Sequence, residues 1–257
     1  MGNRTTLNRA LSKLGLCSRT DAIKYIQDGK VTVNNKVVTK SLAWVDIELD
    51  KIKIDQVTNK SCTNSQQPQN GKKNIYLAMY KPRGFVTTKL DEHGRKTVYD
   101  LLPDKYKTAW LFPVGRLDKD SQGLLLFTND GAWQDQILAP ETHLEKTYLV
   151  WTEDPLSPGS IAKLQRGIRL ANDDLQTCVI IPQEYKNEPT APDQKERKIP
   201  NVYKITISEG KNRQIRKMMA YIGTTVVKLE RIQIGKLSLE NLNLKPREVK
   251  EIKPSDI

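Results

Sequence analysis

One segment lacks almost everything needed to fold. Residues 56–74, QVTNKSCTNSQQPQNGKKN, contain no aromatic residue, no carboxylate and almost no apolar side chain. Such a segment cannot bury enough apolar surface to offset the entropy lost on ordering, so it predicts a linker. A chain of 257 residues is long enough for two domains. We therefore expect a small domain over residues 1–55, the linker over 56–74 and a larger domain over 75–257.

Positive charge is concentrated near the N-terminus. The chain carries 42 Lys and Arg against 30 Asp and Glu, a net charge of +12. Half of this excess lies in residues 1–40, where eight cations are opposed by two carboxylates. Such a balance favours a polyanionic partner. We favour nucleic acid over an anionic membrane, because the first predicted helix has no bulky aromatic residue on its apolar face.

Membrane and export signals are missing from the sequence. No uninterrupted apolar run approaches the length of a bilayer span. The first residues become basic and amphipathic without an apolar stretch of signal-peptide length. We therefore expect a cytoplasmic protein that does not associate with membranes.

Residue spacing also argues against several common sites. The cysteines are odd in number, far apart and without a C-x-x-C pair, which argues against a disulfide framework or a thiolate zinc site. Two histidines are too few for a His-rich metal site. No two glycines lie closer than eight positions, which excludes the dinucleotide fingerprint and the phosphate loop. We therefore expect no bound metal and no nucleotide cofactor.

Two short helices and a hairpin are predicted in the first domain. Apolar residues recur at helical spacing over residues 6–14, which predicts the first helix. Ser18 can cap a second helix, and Gly29 ends it. Alternating valines then surround Asn34 and Asn35, a pattern typical of a β-hairpin.

The two predicted helices carry cations outside their apolar positions. Phosphate contacts from such a face position RNA without reading its bases, whereas the alternative is an ordinary solvated helical surface. Segment 7–38, LNRALSKLGLCSRTDAIKYIQDGKVTVNNKVV, resembles the small RNA-binding domain named S4. The resemblance implies binding to structured RNA. The expected contact residues are Arg9, Lys13, Arg19 and Lys24.

Residues 75–257 combine strand and helix patterns. Runs of apolar and β-branched residues predict strands at 75–80, 124–128, 146–151, 178–181 and 202–207. Helical patterns lie between them at about 132–138, 158–166 and 212–222. This order indicates an α+β fold with a mixed, largely antiparallel β-sheet flanked by helices. Prolines among charged residues predict a mobile surface loop over residues 182–200.

One carboxylate stands out in FPVGRLDKDSQGLLLFTNDG, residues 112–131. An Arg-Leu-Asp turn before a buried apolar strand places Asp118 near the edge of the sheet. Asp120, Ser121 and Asp130 are equally compatible with turn or capping roles. Because a lone aspartate is more often structural than catalytic, this segment does not by itself identify a site.

Two later segments supply further candidates. EKTYLVW, residues 145–151, places Lys146 and Tyr148 on one face of a strand, because side chains two positions apart share a face. EGKNRQIRKMM, residues 209–219, predicts a helix with three cations near its N-terminus, where free N–H groups also favour an anion. These cations are Arg213, Arg216 and Lys217.

Four segments of the chain, in this order, resemble the bacterial ribosomal-RNA pseudouridine synthases of the RsuA-type family. They are KPRGFVTT, the GRLD segment, EKTYLV and EGKNRQIRKMM. The similarity spans roughly residues 75–245 and adjoins the S4-like domain found in many members. Four motifs in one order are far more specific than any one of them. The stretch LERIQIGKLSLENL, residues 229–242, is also similar to the last strands of the family.

The resemblance implies roles for individual residues. Asp118 matches the catalytic aspartate of the family, Tyr148 the tyrosine that lies against the target base, and Arg216 the basic residue that pairs with the aspartate. Ser121 stands where many members have threonine, which keeps the hydroxyl. RNA binding is the expected role of Arg116, Lys146, Arg213 and Lys217.

The implied reaction is the isomerisation of a ribosomal-RNA uridine to pseudouridine. The uridine is flipped out of its helix, the bond from ribose to uracil nitrogen 1 is cut, and the base is rejoined through carbon 5. Asp118 acts as an ionised carboxylate, either as nucleophile or as base toward the ribose, and Arg216 pairs with it directly. Tyr148 stacks on the uracil or assists removal of the carbon 5 proton. The family implies a monomer that needs no cofactor.

Other functions fit parts of the sequence. A non-catalytic RNA-binding or ribosome-assembly factor explains the charge, but not the joint presence of Asp118, Tyr148 and Arg216. A methyltransferase attached to the same RNA-binding domain is disfavoured by the absence of close glycine pairs. Within the family, the Lys-Asp-Ser-Gln run after Asp118 slightly favours members acting on large-subunit (23S) RNA, whereas EKTYLV is also similar to the small-subunit (16S) enzyme.

Overall fold

The described chain forms two compact units. One unit comprises Met1–Asn74 with Asn129–Gly131, and the other comprises Ile75–Thr128 with Ala132–Ile257. Within the described residues, no helix is both long enough and apolar enough to cross a membrane. The computed structural model describes residues 4–14, 16–17, 19–55, 74–89, 91–170, 175–184 and 201–257.

The first unit packs two helices against small antiparallel sheets. β1 pairs with β4, and β2 pairs with both β3 and β5. Asn34 and Asn35 have φ of 51° and 64°, as a two-residue type I′ hairpin turn requires. The elements are β1 (Arg4–Thr6), α1 (Leu7–Lys13), α2 (Arg19–Gln27), β2 (Val31–Val33), β3 (Lys36–Val37), β4 (Trp44–Asp46) and β5 (Ile52–Ile54).

A nine-stranded sheet with flanking helices forms the second unit. Its helices are α3 (Asp104–Lys107), α4 (Gly131–Leu138), α5 (Pro158–Arg166) and α6 (Gln214–Tyr221). Short 3-10 helices span Val98–Leu101, Pro140–Thr142 and Pro254–Asp256. Within the described residues, the nine strands of the sheet are β6 (Tyr76–Lys81), β7 (Phe112–Val114), β8 (Ser121–Thr128), β9 (Lys146–Thr152), β12 (Val179–Gln183), β13 (Asn201–Ile207), β14 (Val226–Ile234), β15 (Leu237–Ser238) and β16 (Val249–Glu251). The strands β10 (Ile168–Arg169) and β11 (Leu175–Gln176) form a separate antiparallel pair.

The sheet is antiparallel except at one central pair. Its strand order is β12-β13-β9-β14-β8-β6-β16, with β7 added to β8 and β15 added to β14. β14 and β8 run parallel, with Leu229 opposite Ser121 and Arg231 opposite Gly123. β14 also pairs antiparallel with β9 on its other side. The predicted α+β class, with a mixed and largely antiparallel sheet, is confirmed.

Both faces of the sheet are buried. Leu77 and Leu125 contribute to the apolar core on one face, and Ala78 and Leu124 contribute to the core on the other. β8 therefore reads as a continuous apolar run rather than an alternating pattern. The first unit has a separate core, formed by Leu7, Ala10, Leu11, Cys17, Ala22, Ile26, Val31 and Val45.

One predicted boundary is wrong. Pro182, expected to begin a surface loop, lies within β12, which continues to Gln183. β12 is an edge strand, where proline is tolerated because its missing N–H interrupts no central ladder. The remainder of that loop beyond residue 184, the cap assigned to Ser18 and residues 56–73 of the linker lie outside the described residues.

Gly123 allows β8 and β14 to approach closely. It has φ of +112°, and a Cβ atom there would lie 2.2 Å from the backbone oxygen of Arg231.

We expect Gly123→Ala to lower the free energy of unfolding by about 3 kcal/mol, because a backbone atom cannot yield as a side chain would. Urea denaturation measures the change. Gly159→Ala, whose Cβ would lie 3.8 Å from Ser157 Oγ, is the matched control and should leave stability unchanged or raise it. Equal stability of the two variants would contradict the packing argument.

Candidate active site

A cleft of about 730 Å³ opens in the second unit. The turn before β8 forms one wall, and the segment that leads into α6 forms another. Side chains from the central strands β9 and β14 also line it. Five of the residues predicted as catalytic or RNA-binding line this cleft, namely Arg116, Asp118, Lys146, Tyr148 and Arg213.

Asp118 lies in the turn between β7 and β8. The Ser121 N–H donates to the Asp118 carbonyl oxygen at 3.0 Å and closes the turn. β8 is flanked by β14 and β6, so the prediction that Asp118 lies near the sheet edge is wrong. Asp118 instead lies in the turn that precedes an interior strand, at the end of that strand rather than beside an edge strand. Its side chain is 30% exposed.

A buried lysine supports this turn. Lys81, at the end of β6, is 0% exposed. Its ammonium has three protons and lies within hydrogen-bonding distance of four backbone oxygens, so the protons are shared. The acceptors are the carbonyl oxygens of Ser121 at 2.7 Å, Asp118 at 3.0 Å, Pro82 at 3.2 Å and Lys119 at 3.4 Å.

The segment after Lys81 holds the same turn from a second side. Thr87 Oγ1 donates to the Leu117 carbonyl oxygen at 2.7 Å and accepts from the Leu117 N–H at 3.3 Å. The Gly84 N–H donates to the Lys119 carbonyl oxygen at 2.9 Å. The motif KPRGFVTT therefore fixes the backbone on both sides of Asp118. The motif alone does not predict this structural role, because the partners of Gly84 and Thr87 lie some thirty positions later in the chain.

Two guanidinium groups face the Asp118 carboxylate. Arg213 Nη1 lies 3.6 Å from Oδ2, and Arg216 Nε lies 3.9 Å from the same oxygen. The predicted pairing of Arg216 with the aspartate is therefore present, and Arg213, predicted to bind RNA, lies closer still. Arg213 caps α6 with φ of 52°, a left-handed conformation.

Arg216 is the more buried of the two arginines. Its side chain is 16% exposed, against 52% for Arg213. Nη1 donates to the Val226 carbonyl oxygen at 3.1 Å, which anchors the group. Burial lowers the pKa of Arg216, the positive charge of Arg213 lowers it further, and Asp118 opposes both effects.

Tyr148 and Lys146 lie along β9 and both line the cleft, as the strand pattern predicted. Tyr148 is 7% exposed and pairs across the strands with Arg231 of β14. Burial lowers the pKa of Lys146, and the nearby charge of Arg231 lowers it further. Arg231 was not predicted as a site residue, since nothing in its sequence context marks a lone arginine in a strand.

Other predicted residues are not part of the cleft wall. Lys217 is exposed on α6 but is absent from the cleft wall, because the buried side of α6 is formed by Ile215, Met218 and Met219. The four predicted RNA contacts of the first unit are exposed on α1 and α2. They are Arg9, Lys13, Arg19 and Lys24.

Cations dominate the cleft wall. Asp118 and Glu209 are its carboxylates, and five basic side chains accompany them. In the part of the chain that the structure describes, no cluster of His, Cys, Asp and Glu could hold a metal ion. The arrangement therefore offers a carboxyl group surrounded by groups that attract an anionic substrate. The basic residues are Arg116, Lys146, Lys211, Arg213 and Arg231.

Two family models match the chain. Residues 75–221 match the model described as RNA pseudouridylate synthase. Residues 5–42 match the S4 domain. The first match contains Asp118, Tyr148 and both arginines that face the carboxylate, and the second contains α1 and α2.

Whole proteins are similar over most of their length. Ribosomal large subunit pseudouridine synthase B of Bacillus subtilis is 33% identical over 257 residues, covering 96% of this chain and 95% of that protein. Dual-specificity RNA pseudouridine synthase RluF of Escherichia coli K12 is 32% identical, covering 93% of this chain and 72% of its own. A crystal structure of a pseudouridylate synthase aligns with a TM-score of 0.63 at 26% identity, covering 98% of this chain and 97% of the other.

The ammonium of Lys81 has an unusual protonation equilibrium. Burial lowers its pKa to about 8, the charges of Asp118 and Asp120 oppose this shift, and Arg231 adds to it. Because the unfolded chain keeps the proton to higher pH, the contribution of Lys81 to stability rises as the pH increases from about 8 toward 10.5.

We expect the free energy of unfolding to increase with pH more steeply in the wild type than in Lys81→Met over that interval. The difference in slope is at most about 1.4 kcal/mol per pH unit, the value for one proton. Urea denaturation at a series of pH values measures it. Parallel curves for the two proteins would show that Lys81 does not titrate in this range.

Proposed function

The chain belongs to the RNA pseudouridine synthase family, and we propose that it isomerises a uridine of ribosomal RNA to pseudouridine. The observation that carries the proposal is the Asp118 carboxylate, held in a cleft with two guanidinium groups within 4 Å and Tyr148 in the same wall. A non-catalytic RNA-binding factor has no use for this arrangement. The relatives named above, which are pseudouridine synthases, support the same conclusion.

The reaction rearranges bonds within one nucleotide. The bond between ribose carbon 1′ and uracil nitrogen 1 breaks, and its electron pair leaves with the base. The base turns, carbon 5 forms the new bond to carbon 1′, carbon 5 loses its proton, and nitrogen 1 gains one. Nothing is oxidised and no atom is added from outside apart from exchanged protons, so we propose that no cofactor takes part.

Asp118 is the proposed catalytic carboxylate. As a nucleophile it attacks carbon 1′ while the base leaves, and is released when carbon 5 attacks in turn. As a base it removes a ribose proton instead, and returns that proton later. Both roles place the carboxylate oxygens against the ribose, and Arg213 and Arg216 lie 3.6 Å and 3.9 Å from Oδ2, where they hold the carboxylate in position.

Tyr148 and the basic wall complete the proposed site. A uridine must leave its helix to reach the carboxylate, at a cost of roughly a few kcal/mol. Contacts between RNA phosphates and cations of the cleft offset this cost. We assign Tyr148 to the face of the flipped uracil, and assign phosphate contacts to Arg116 and Lys146, which line the same cleft. Lys217 is assigned to the surrounding RNA surface.

We propose that the two units divide the work. Residues 1–55 bind structured RNA through their S4 domain, residues 56–74 link them to the rest, and residues 75–257 carry the catalysis. We propose large-subunit RNA as the substrate, supported by the name of the Bacillus subtilis relative. A monomer suffices for this mechanism, since all groups assigned to it come from one chain. We propose that the protein acts in the cytoplasm, because its proposed substrate is ribosomal RNA or a ribosome-assembly intermediate.

Mapping pseudouridines nucleotide by nucleotide tests this function. A strain lacking the gene should lose at least one pseudouridine in its large-subunit RNA, and a plasmid copy should restore it. Asp118→Asn keeps the shape of the side chain and removes its charge, so this variant should restore none while still binding RNA. The matched control is Asp104→Asn, which changes an aspartate whose side chain is 92% exposed at the start of α3 and should restore the modification. An unchanged map in the deletion strain would refute the proposed function.

Salt dependence tests the role of the first unit. Arg19→Gln combined with Lys24→Gln removes two exposed cations of α2. If both contact phosphates, the affinity for RNA falls and the slope of log K against log salt decreases by about 2, while turnover at saturating RNA is unchanged. Lys51→Gln with Lys53→Gln, an equal change of charge at and beside β5, is the control. Equal slopes for the two double variants would contradict the assignment to α2.

A further inference from the structure

Three polar side chains are buried in the cleft with an atom left unbonded. Ser121 is 1% exposed, Gln214 is 3% exposed and Arg231 is 6% exposed, and all three line the cleft. Ser121 Oγ, Gln214 Nε2 and Arg231 Nη2 have no hydrogen-bond partner within the described chain. Buried polar groups are nearly always paired in native proteins, so such a set at the wall of a cleft indicates groups that await a ligand.

The Arg231 side chain is anchored through Nε, not through Nη2. Its Nε donates to the Leu124 carbonyl oxygen at 2.7 Å. The parallel pairing of β14 with β8 ends where Arg231 lies opposite Gly123, so the side chain continues the contact between the strands after the backbone ladder stops. The guanidinium is therefore oriented before any substrate binds, and its Nη2 has no hydrogen-bond partner among the described residues.

The charges around Arg231 favour an acceptor. Its positive charge lowers the pKa values of both Lys81 and Lys146. Among the described residues no carboxylate forms an ion pair with it, whereas Asp118 is paired with Arg213 and Arg216. A guanidinium donates hydrogen bonds and cannot accept them. The missing partner is therefore an acceptor with partial or full negative charge.

The position of Tyr148 identifies that acceptor. Tyr148 is the direct cross-strand partner of Arg231. Side chains at such positions lie on one face of the sheet with Cβ atoms about 5 Å apart. If Tyr148 lies against the flipped uracil, Arg231 lies beside the same ring. Uracil presents two carbonyl oxygens, which are acceptors of the required kind.

Resting on the proposed function, we propose that Arg231 binds the target base, with Nη2 donating a hydrogen bond to one ring carbonyl oxygen of the flipped uracil. When the bond from nitrogen 1 to carbon 1′ breaks, its electron pair spreads through the ring onto the carbonyl oxygens. The hydrogen bond therefore strengthens as the base becomes anionic, which lowers the barrier to cleavage. Ser121 and Gln214 provide further polar contacts on the same wall.

Sulfur substitution in the base tests this contact, because sulfur accepts hydrogen bonds weakly. The substrate is a large-subunit RNA fragment that contains the uridine mapped in the deletion strain, synthesised with uridine, 2-thiouridine or 4-thiouridine at that position. Single-turnover rate constants are measured by nucleoside digestion and chromatography. The wild type should lose about tenfold or more with one of the two thio bases, the effect of one charge-assisted hydrogen bond.

Arg231→Gln should be slower than the wild type by about ten- to a hundredfold on uridine, with no further loss on that same thio base. Arg231→Lys keeps the charge without the fork and provides the same comparison if the first variant does not fold. Both should bind RNA with nearly wild-type affinity. Arg169→Gln, which removes an exposed arginine of β10, should behave as the wild type with all three bases.

Two results would overturn the role of Arg231 alone. One is a wild type that converts both thio bases as fast as uridine. The other is an Arg231→Gln variant that loses as much rate on each thio base, relative to uridine, as the wild type does. The effects of the substitution and of the sulfur would then be independent, as expected if Arg231 contacted a phosphate or merely joined β14 to β8. A wild type that converts none of the uridine RNA would instead refute the proposed function, and the role of Arg231 with it.

Discussion

The Asp118 turn is organised around a buried ammonium group. Lys81 lies in the interior with no exposed surface and binds four carbonyl oxygens on and around the turn that presents Asp118. Carbonyl oxygens that converge in this way repel one another unless a cation lies among them. The lysine thus permits a tight turn at the end of an interior strand. The position of the carboxylate relative to the two arginines follows from that turn.

The cleft wall contains more basic than acidic side chains. Five cations and two carboxylates line it, so the cleft wall carries an excess of positive charge in a partly buried place. Such an excess disfavours folding and favours an anionic ligand, so stability and affinity are opposed here. The proposed RNA substrate resolves the conflict by supplying phosphates and an anionic base. Lys146 and Arg231 lie on β9 and β14, which the sheet holds, whereas Lys211 and Arg213 lie on the segment leading into α6.

The sequence predicted what depends on local pattern. Helical spacing, the Asn34-Asn35 turn and the apolar run of β8 correctly indicated the elements and the α+β class, because each is determined by neighbours along the chain. The motif resemblance indicated Asp118, Tyr148 and Arg216. Asp118 and Tyr148 line the cleft, and Arg216 lies 3.9 Å from the Asp118 carboxylate without being part of the cleft wall. Lys217 was predicted to bind RNA because it lies off the apolar face of the helix near its N-terminus, and the structure leaves it exposed and outside the cleft wall.

Long-range contacts could not be predicted in the same way. Lys81 acts on carbonyl oxygens some forty positions later, and any residue has a carbonyl, so no side-chain pattern marks the partners. Arg231 depends on where the parallel ladder of β14 and β8 ends, which is a property of the assembled sheet. Arg213 approaches Asp118 from a position with a left-handed backbone, a conformation that arginine rarely adopts and that the sequence does not indicate.

The insertion of β14 between β9 and β8 also sets the order of events during synthesis. Both flanking strands leave the ribosome well before residues 226–234, so each waits with an unpaired edge. Until β14 emerges, the nascent protein has neither its central ladder nor the part of the cleft wall that β14 provides. Parallel pairing over such a separation closes slowly. Those two edges are therefore where the nascent chain is most exposed to pairing with foreign strands, until β14 occupies the place between them.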